Sequence, residues 1–147
     1  VIVARSFSKI YGLAGLRVGY GIANAGVINY MERVREPFNV NLLAQAAALA
    51  ALGDKSFLNK TLRYIKREKG FLYGAFKKMN LEYVPSATNF ILLDVKKDSK
   101  AVFNDLLKKG VIVRDMKPWG LDSYIRVTAG LRKENEKFVK ALESVLT

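Results

Sequence analysis

The sequence contains no cysteine and no histidine among its 147 residues. Without cysteine, neither a disulfide framework nor a thiolate metal site can form, and the further lack of histidine leaves a zinc centre without its usual ligands. We therefore expect no metal site. Any general acid or base must be a lysine, tyrosine, aspartate or glutamate.

Long apolar runs are also absent. The stretch NLLAQAAALAAL, residues 41–52, is shorter than the roughly 20 residues that span a bilayer, and Gln45 interrupts it. No signal peptide is present, and the sequence opens on VIVARS without an initiating methionine. We therefore expect a piece of a longer, cytoplasmic protein with no membrane partner.

Positive charge is plentiful: 25 lysines and arginines against 13 acidic residues give a formal net charge of +12. The basic residues are scattered through RYIKREKG, FKKM, DVKKDSK and LLKKG, mostly on what we expect to be polar helix faces. A nucleic-acid-binding surface more often gathers them in one stripe with exposed aromatics, and no such motif is found. We therefore expect no nucleic-acid partner. Because of the high positive charge, a basic nucleic-acid-binding domain stays the non-enzymatic alternative.

The apolar periodicity predicts an α/β chain. Changes between alternating, continuous and helical spacing mark each element. The first half is predicted to contain a buried strand at 1–4, a strand at 17–23, a helix at 27–34, a small-residue helix at 42–52 ended by Gly53, and a long helix from Asp54 to Met79. The second half is predicted to contain a strand at 88–95, a helix that starts at Asp98 or Ser99 and ends at Gly110, strands at 111–114 and 123–130, and a closing helix through Phe138 and Leu142.

One segment, SFSKIYGLAGLRVGY (6–20), combines a single lysine, Lys9, with hydroxyl side chains, glycines and Arg17. A lysine amine is most often recruited as a nucleophile toward an aldehyde cofactor, above all pyridoxal phosphate. Ser6, Ser8 and backbone N–H groups suit the cofactor phosphate, and an arginine offers it bidentate hydrogen bonds. The glycines, such as Gly12, permit a sharp turn.

Two other interpretations fit this spacing alone. A lysine in a serine- and glycine-bearing loop is usually solvated, and an arginine on the next strand is usually a surface charge. The other interpretation is a glycine-rich loop that binds a nucleotide phosphate, but GLAGLR lacks the Gly-Lys-Ser/Thr ending of that motif.

A resemblance decides between these interpretations. SFSKIYGLAGLRVGY closely resembles the cofactor-lysine segment of the fold type I, class I/II aminotransferases. Four further segments occur in the same order in the histidinol-phosphate branch of that family: NVNLLAQAAALAAL (39–52), TNFILLDV (88–95), GVIVRDM (110–116) and YIRVTAG (124–130). The similarity runs from end to end of the chain.

This resemblance implies roles for individual residues. Lys9 would bind the pyridoxal 5′-phosphate cofactor covalently and shuttle the proton between the substrate Cα and the cofactor C4′. Ser6 and Ser8 would contact the cofactor phosphate, and Arg17 matches the family's phosphate-binding arginine.

The resemblance also implies two substrate arginines. Arg126 matches the arginine that grips the α-carboxylate of glutamate or the phosphate of histidinol phosphate, and strand alternation places it on the face opposite Ile125 and Val127. Arg114 matches a second arginine associated with the substrate phosphate. The alternative for Arg114 is a surface arginine paired with Asp115.

The family takes its pyridinium-nitrogen aspartate and its ring-stacking aromatic from sequence before the lysine, where this chain has only eight residues. The resemblance therefore implies a C-terminal portion: the end of a large, mainly parallel cofactor domain (1–53), a connecting helix (54–79) and a small α+β domain (80–147). The expected parent is a homodimeric transaminase of histidine biosynthesis that uses glutamate or 2-oxoglutarate with histidinol phosphate. An aromatic amino acid aminotransferase and a threonine-phosphate decarboxylase are the alternatives within the family.

Overall fold

An antiparallel ribbon opens the chain in the computed structural model, which describes residues 1–147. Strands β1 (Ile2–Ser6) and β2 (Gly19–Ala23) pair in the register Ile2↔Ala23 to Ser6↔Gly19. A Cβ at position 19 would lie 2.6 Å from the carbonyl oxygen of Arg5. Only glycine therefore allows the two strands to approach this closely at the base of the lysine loop.

Two helices follow the ribbon. Helix α1 (Ala25–Val34) is capped by Asn24 and ends before Pro37, as predicted, because the residue ahead of a proline avoids the helical region. Helix α2 (Leu42–Gly53) begins at Asn41, whose side chain accepts from the Ala44 N–H at 2.8 Å. Contacts along the chain group these elements into a first unit, Val1–Leu62.

Helix α3 (Lys55–Lys78) is the longest element, and Asp54 caps it by accepting from the Phe57 N–H at 2.8 Å. Its first residues belong to the first unit and the rest to a second unit, Arg63–Thr147. Of its apolar side chains, Leu72 and Phe76 are fully buried. The structure leaves the predicted three-domain boundaries at 53 and 79 as predictions.

The second unit is a two-layer α/β arrangement. Its antiparallel sheet has the strand order β3 (Tyr83–Val84), β4 (Phe90–Asp94), β6 (Tyr124–Thr128) and β5 (Arg114–Asp115). Helices α4 (Ser99–Lys108, capped by Asp98) and α5 (Arg132–Leu146) pack with α3 on one face of it. The core is formed by residues of these helices, the strands and the connections between them: Leu72, Phe76, Ile91, Leu93, Val95, Val102, Leu106, Val111, Val113, Ile125, Val127, Ala129, Phe138, Ala141 and Leu142.

Three sequence predictions are wrong. The first strand is exposed along its whole length, because a two-stranded ribbon has too few side chains on either face to form a core. The ribbon is antiparallel, so the expected mainly parallel sheet is not found here; parallel pairing needs a crossover helix, and residues 7–18 contain only a three-residue 3₁₀ turn, Ala14–Leu16. Residues 111–113 form no ladder, although Val111 and Val113 are buried.

None of the helices combines the length and the apolar character that crossing a bilayer requires.

Candidate functional site

The loop between β1 and β2 carries the predicted cofactor residues. The Phe7 N–H donates to the Val18 carbonyl at 3.2 Å and closes the loop at its base, and the Leu13 N–H donates back to the Phe7 carbonyl at 3.0 Å. The Phe7 side chain is buried, with its ring centroid 5.0 Å from Tyr11 and 5.6 Å from Tyr20. This aromatic anchor fixes both ends of the loop.

Lys9 begins a tight turn within that loop. The Gly12 N–H donates to the Lys9 carbonyl at 2.9 Å, and Gly12 has a φ of 72°, which favours glycine. The Lys9 side chain is exposed. Its amine takes part in none of the ion pairs or side-chain hydrogen bonds of the structure, so it is free to bind a ligand.

The two serines adjoin Lys9 on a local hydrogen-bonded turn. The Ser8 N–H donates to the Ser6 Oγ at 3.0 Å. This bond occupies one acceptor site of the Ser6 hydroxyl and leaves its O–H available as a donor, which is what a phosphate oxygen requires.

Arg17 has an unusual backbone conformation. Its φ and ψ are 56° and 58°, in the left-handed region, which costs a residue other than glycine about 1–2 kcal/mol. Its guanidinium donates to the Ala14 carbonyl at 2.8 Å, and the Asn41 side chain donates to the Leu16 carbonyl at 3.2 Å. Strained backbone of this kind often marks a functional position.

Arg114 and Arg126 lie in the second unit, and the structure brings them together. They are direct partners across the β5–β6 ladder, so their side chains leave the same face of the sheet. That face is opposite the core, because Ile125 and Val127 are buried on the helix side. The predicted alternation around Arg126 is thus confirmed.

Aromatic rings, and no acidic groups, support these two arginines. The Arg126 guanidinium carbon lies 4.7 Å from the centroid of the Phe90 ring, and that of Arg114 lies 4.9 Å from the Trp119 ring. Neither arginine belongs to any of the five ion pairs of the chain. The Arg126 Nε is buried without a hydrogen-bond partner. This pair of cations is therefore suited to an external anion.

Asp115 does not pair with Arg114. Its carboxylate accepts from the Ser99 hydroxyl at 2.7 Å and from the Lys117 N–H at 3.0 Å. Burial raises the pKa of the Asp115 carboxyl, but these hydrogen bonds outweigh it and the pKa lies below its ordinary value. The ionised group therefore stabilises the turn after β5. Arg114 is exposed, as the alternative supposed, but the pairing with Asp115 is not observed.

Sequence reasoning missed a buried carboxylate, Glu68 on α3. It accepts from Arg67 and Arg132, both at 3.1 Å, and from Asn135 at 3.0 Å. Burial raises the pKa of Glu68, but the hydrogen bonds from Asn135 and Arg67 and the charge of Arg132 outweigh it, so the pKa is lowered. Asn135 also exchanges hydrogen bonds with Gly130, directly after the arginine strand.

No sequence signal reveals Glu68, because two of its three partners, Arg132 and Asn135, lie more than 60 residues away on α5. The aromatic partners of the arginines were missed as well. Phe90 has a weak signal, since it opens a strand whose alternation matches that of β6. Trp119 has none, because its contact depends on a turn.

The fold and these two groups of residues define an α/β protein with an exposed lysine in a closed loop and an arginine pair that no acidic side chain neutralises. Comparison with known proteins identifies its class: the chain belongs to the aminotransferase class I and II family, whose model matches residues 1–142. The resemblance seen in the sequence is therefore confirmed.

Individual relatives show which members of the family this chain is similar to. A histidinol-phosphate aminotransferase from Moorella thermoacetica is 53% identical over 146 residues, which are 99% of this chain and 38% of that protein. The crystal structure of histidinol-phosphate aminotransferase from Sinorhizobium meliloti in complex with pyridoxal-5′-phosphate matches with a TM-score of 0.90 and 32% identity, over 99% of this chain and 41% of that one. The chain therefore spans about two fifths of the length of these relatives.

A third relative has a different activity in its name. The crystal structure of L-threonine-O-3-phosphate decarboxylase from Porphyromonas gingivalis matches with a TM-score of 0.83 and 31% identity, over 99% of this chain and 46% of that one.

Proposed function

We propose that this chain is the C-terminal part of a pyridoxal-phosphate-dependent transaminase that exchanges an amino group between glutamate and histidinol phosphate. In one direction, histidinol phosphate gives its amino group to 2-oxoglutarate, and the products are imidazole acetol phosphate and glutamate. The reverse reaction forms histidinol phosphate and 2-oxoglutarate. The place of such an enzyme is histidine biosynthesis. The observation that carries the proposal is the free amine of Lys9 in a closed loop that also holds two hydroxyls and an arginine.

The donor set of this loop fits pyridoxal phosphate. The Lys9 amine suits its aldehyde, and the Ser6 and Ser8 hydroxyls with the Arg17 guanidinium suit its phosphate. When bound, the cofactor supplies an electron sink that stabilises negative charge at the substrate Cα. With the cofactor bound, the Lys9 amine would carry a proton between the substrate Cα and C4′ of the cofactor.

Arg126 and Arg114 are the proposed anion-binding residues for substrate. A pocket that accepts glutamate and a phosphate ester in turn needs fixed positive charge more than an apolar slot. The buried Nε of Arg126 has no partner in the chain, so a carboxylate or phosphate oxygen would satisfy it. This is the role that the resemblance implied for both arginines.

The architecture of the parent protein follows from the same proposal. Residues 1–53 are the C-terminal part of a large cofactor domain, and residues 80–147 form the small domain. Residues 54–79 are the helix that connects the two domains. Because the relatives' remaining length is outside this chain, we expect the 147 residues alone to hold the cofactor poorly. The parent is proposed to be a cytoplasmic homodimer.

A second candidate is a phosphothreonine decarboxylase, favoured by the likeness to the Porphyromonas gingivalis structure. Its substrate, like histidinol phosphate, is a phosphate ester that carries an amino group, and the arginine pair would bind its phosphate equally. Transfer of the amino group from histidinol phosphate to 2-oxoglutarate by the parent enzyme supports the first candidate. Release of carbon dioxide from threonine phosphate without such transfer supports the second.

The cofactor assignment is tested by spectroscopy on the parent protein. Mixed with pyridoxal phosphate, it should develop the absorption band of lysine-bound cofactor, and borohydride should fix the cofactor onto Lys9. Lys9→Ala should abolish both signals, and so should Lys9→Arg, since a guanidinium stays protonated and cannot act as the amine.

The matched control is Lys60→Ala, which removes another exposed lysine of the same unit and should change neither signal. Arg17→Ala should form the band but lose the cofactor faster on dialysis. An unmodified Lys9 in the borohydride-treated parent would overturn the assignment.

A further inference from the structure

Trp119 is the one tryptophan of the chain, and the residue is 55% exposed. Tryptophan is highly buried on average, so this exposure is unusual. Its ring lies 4.9 Å from the Arg114 guanidinium carbon, on the arginine-bearing side of the sheet. The contact therefore connects Trp119 with the proposed substrate arginines.

Arg114 needs such a support. It lies in a strand of only two residues, its side chain is exposed, and a like charge stands directly across the ladder at Arg126. Like charges in that position repel, and a free arginine side chain has about 2 kcal/mol of rotamer entropy to lose on ordering. Without a contact, the Arg114 guanidinium would swing away from its partner.

The position of the Trp119 ring is fixed by a short turn, Lys117–Trp119. The Trp119 N–H donates to the Met116 carbonyl at 3.0 Å, and the Lys117 amine pairs with Asp98 at 2.5 Å. Asp98 is also the N-cap of α4, since it accepts from the Ala101 N–H at 2.9 Å. The turn is thus attached to a helix of the second unit.

An aromatic ring beside Arg114 leaves the charge and the N–H donors of the guanidinium available, whereas an acidic side chain would not. A carboxylate beside Arg114 would neutralise the guanidinium and occupy its N–H donors. An aromatic ring attracts the cation through its quadrupole and accepts none of the strong in-plane hydrogen bonds. The charge and the donor fork of Arg114 therefore stay available to a ligand.

We infer that Trp119 is a positioning residue that holds Arg114 opposite Arg126 and so favours a phosphate ester over a carboxylate at this site. A phosphate ester carries nearly two negative charges and three acceptor oxygens, enough for both guanidinium groups. A carboxylate carries one charge and is satisfied by Arg126 alone. The inference rests on the proposed function, because it takes these arginines as the substrate site.

Steady-state kinetics of the parent enzyme test the preference. Trp119→Leu should raise the KM for histidinol phosphate about fivefold while the KM for glutamate changes less than about twofold and kcat is unchanged. Trp119→Phe keeps a ring and should restore most of the affinity. Phe103→Leu is the matched control, because it removes a ring that lies 4.9 Å from a lysine amine elsewhere in the same unit. Equal increases in both KM values would overturn the inference.

A binding measurement on the 147-residue chain separates this inference from the proposed function. Thermal unfolding is followed while inorganic phosphate or acetate is added at constant ionic strength. The phosphate concentration for half-maximal stabilisation should rise about fivefold in Trp119→Leu, with no change for acetate. If wild type and Trp119→Leu respond alike to phosphate, the inference fails. If phosphate discriminates them but the parent transfers no amino group, the proposed function alone fails.

Discussion

The two arginines that face each other across β5 and β6 show how the proposed anion site conflicts with stability at the scale of single residues. Side chains directly opposite in a ladder interact strongly, and unlike charges would stabilise the pair. The chain instead places like charges at Arg114 and Arg126 and leaves one buried nitrogen without a partner. The missing negative charge is the one that a substrate would bring.

This conflict predicts an unfavourable coupling free energy between the two arginines. A double-mutant cycle with Arg114→Met and Arg126→Met should give repulsion of about 0.5 kcal/mol in urea unfolding. The cycle cancels the contact that each arginine makes with its own aromatic ring. Phosphate at saturating concentration should reduce or reverse the coupling.

A comparison cycle of Arg114→Met with Arg132→Met should be additive, since Arg132 bonds to Glu68 and is not an Arg114 partner in the ladder. A favourable or absent coupling between Arg114 and Arg126 without phosphate would contradict the assignment of this face as an anion site.

At the scale of elements, α3 and α5 are joined by the Glu68 network. Glu68 is fully buried, and it bonds to Arg132 and Asn135 on α5. Asn135 in turn holds Gly130, where the chain leaves the strand that carries Arg126. The network therefore fixes the end of that strand against two helices.

The network predicts a pH dependence of stability. The folded-state pKa of Glu68 is lowered, so its ionisation stabilises the fold above the unfolded-state pKa of about 4.3, and that contribution is lost as the pH falls through the lower folded-state value. Glu68→Gln should lower the unfolding free energy at pH 7 by about 1–3 kcal/mol. The difference from wild type should shrink as the pH falls below about 4.

Glu136→Gln is the control, because Glu136 is exposed on α5, the helix that carries the Glu68 partners Arg132 and Asn135. Denaturant unfolding from pH 7 to pH 3 measures both variants. A difference for Glu68→Gln that stays constant over this range would show that the carboxylate is not the titrating group.

Elements differ in how well the sequence predicts them. The helices follow from apolar periodicity and from end signals such as Pro37 and Asp54, which act within a few residues. The two-residue strands β3 and β5 do not, because so short a strand exists only through its pairing with a distant neighbour. The same limit applies to the site: the Lys9 loop is a contiguous motif, whereas the contact of Trp119 with Arg114 depends on a turn that no periodicity marks.

On the scale of the whole chain, side-chain burial is distributed unevenly. The first unit buries only Phe7, Ala44 and Ala48, whereas the second has a continuous core between its sheet and three helices. Apolar side chains of α1, such as Tyr30 and Val34, are exposed here. Apolar periodicity predicted this helix correctly, but the structure buries none of its residues.

This distribution predicts unequal protection against hydrogen exchange. In the 147-residue chain, backbone amides of β4 and β6 should exchange at least about tenfold more slowly than those of β1 and β2, because local opening of an exposed ribbon disrupts few apolar contacts. Exchange measured by mass spectrometry on peptides from each strand gives the comparison. Equal protection of the ribbon and the central strands would contradict the unequal burial.

Arg17 has a consequence for how the family can vary in sequence. Its left-handed backbone suits glycine, asparagine or aspartate best, yet none of these is a cation. Lysine keeps the charge but offers no planar fork, and it meets the same steric penalty. The backbone conformation at this position and the requirement for a cation thus favour different residues. A library of all substitutions at Arg17 should therefore contain very few functional members, and most of its well-folded members should be inactive.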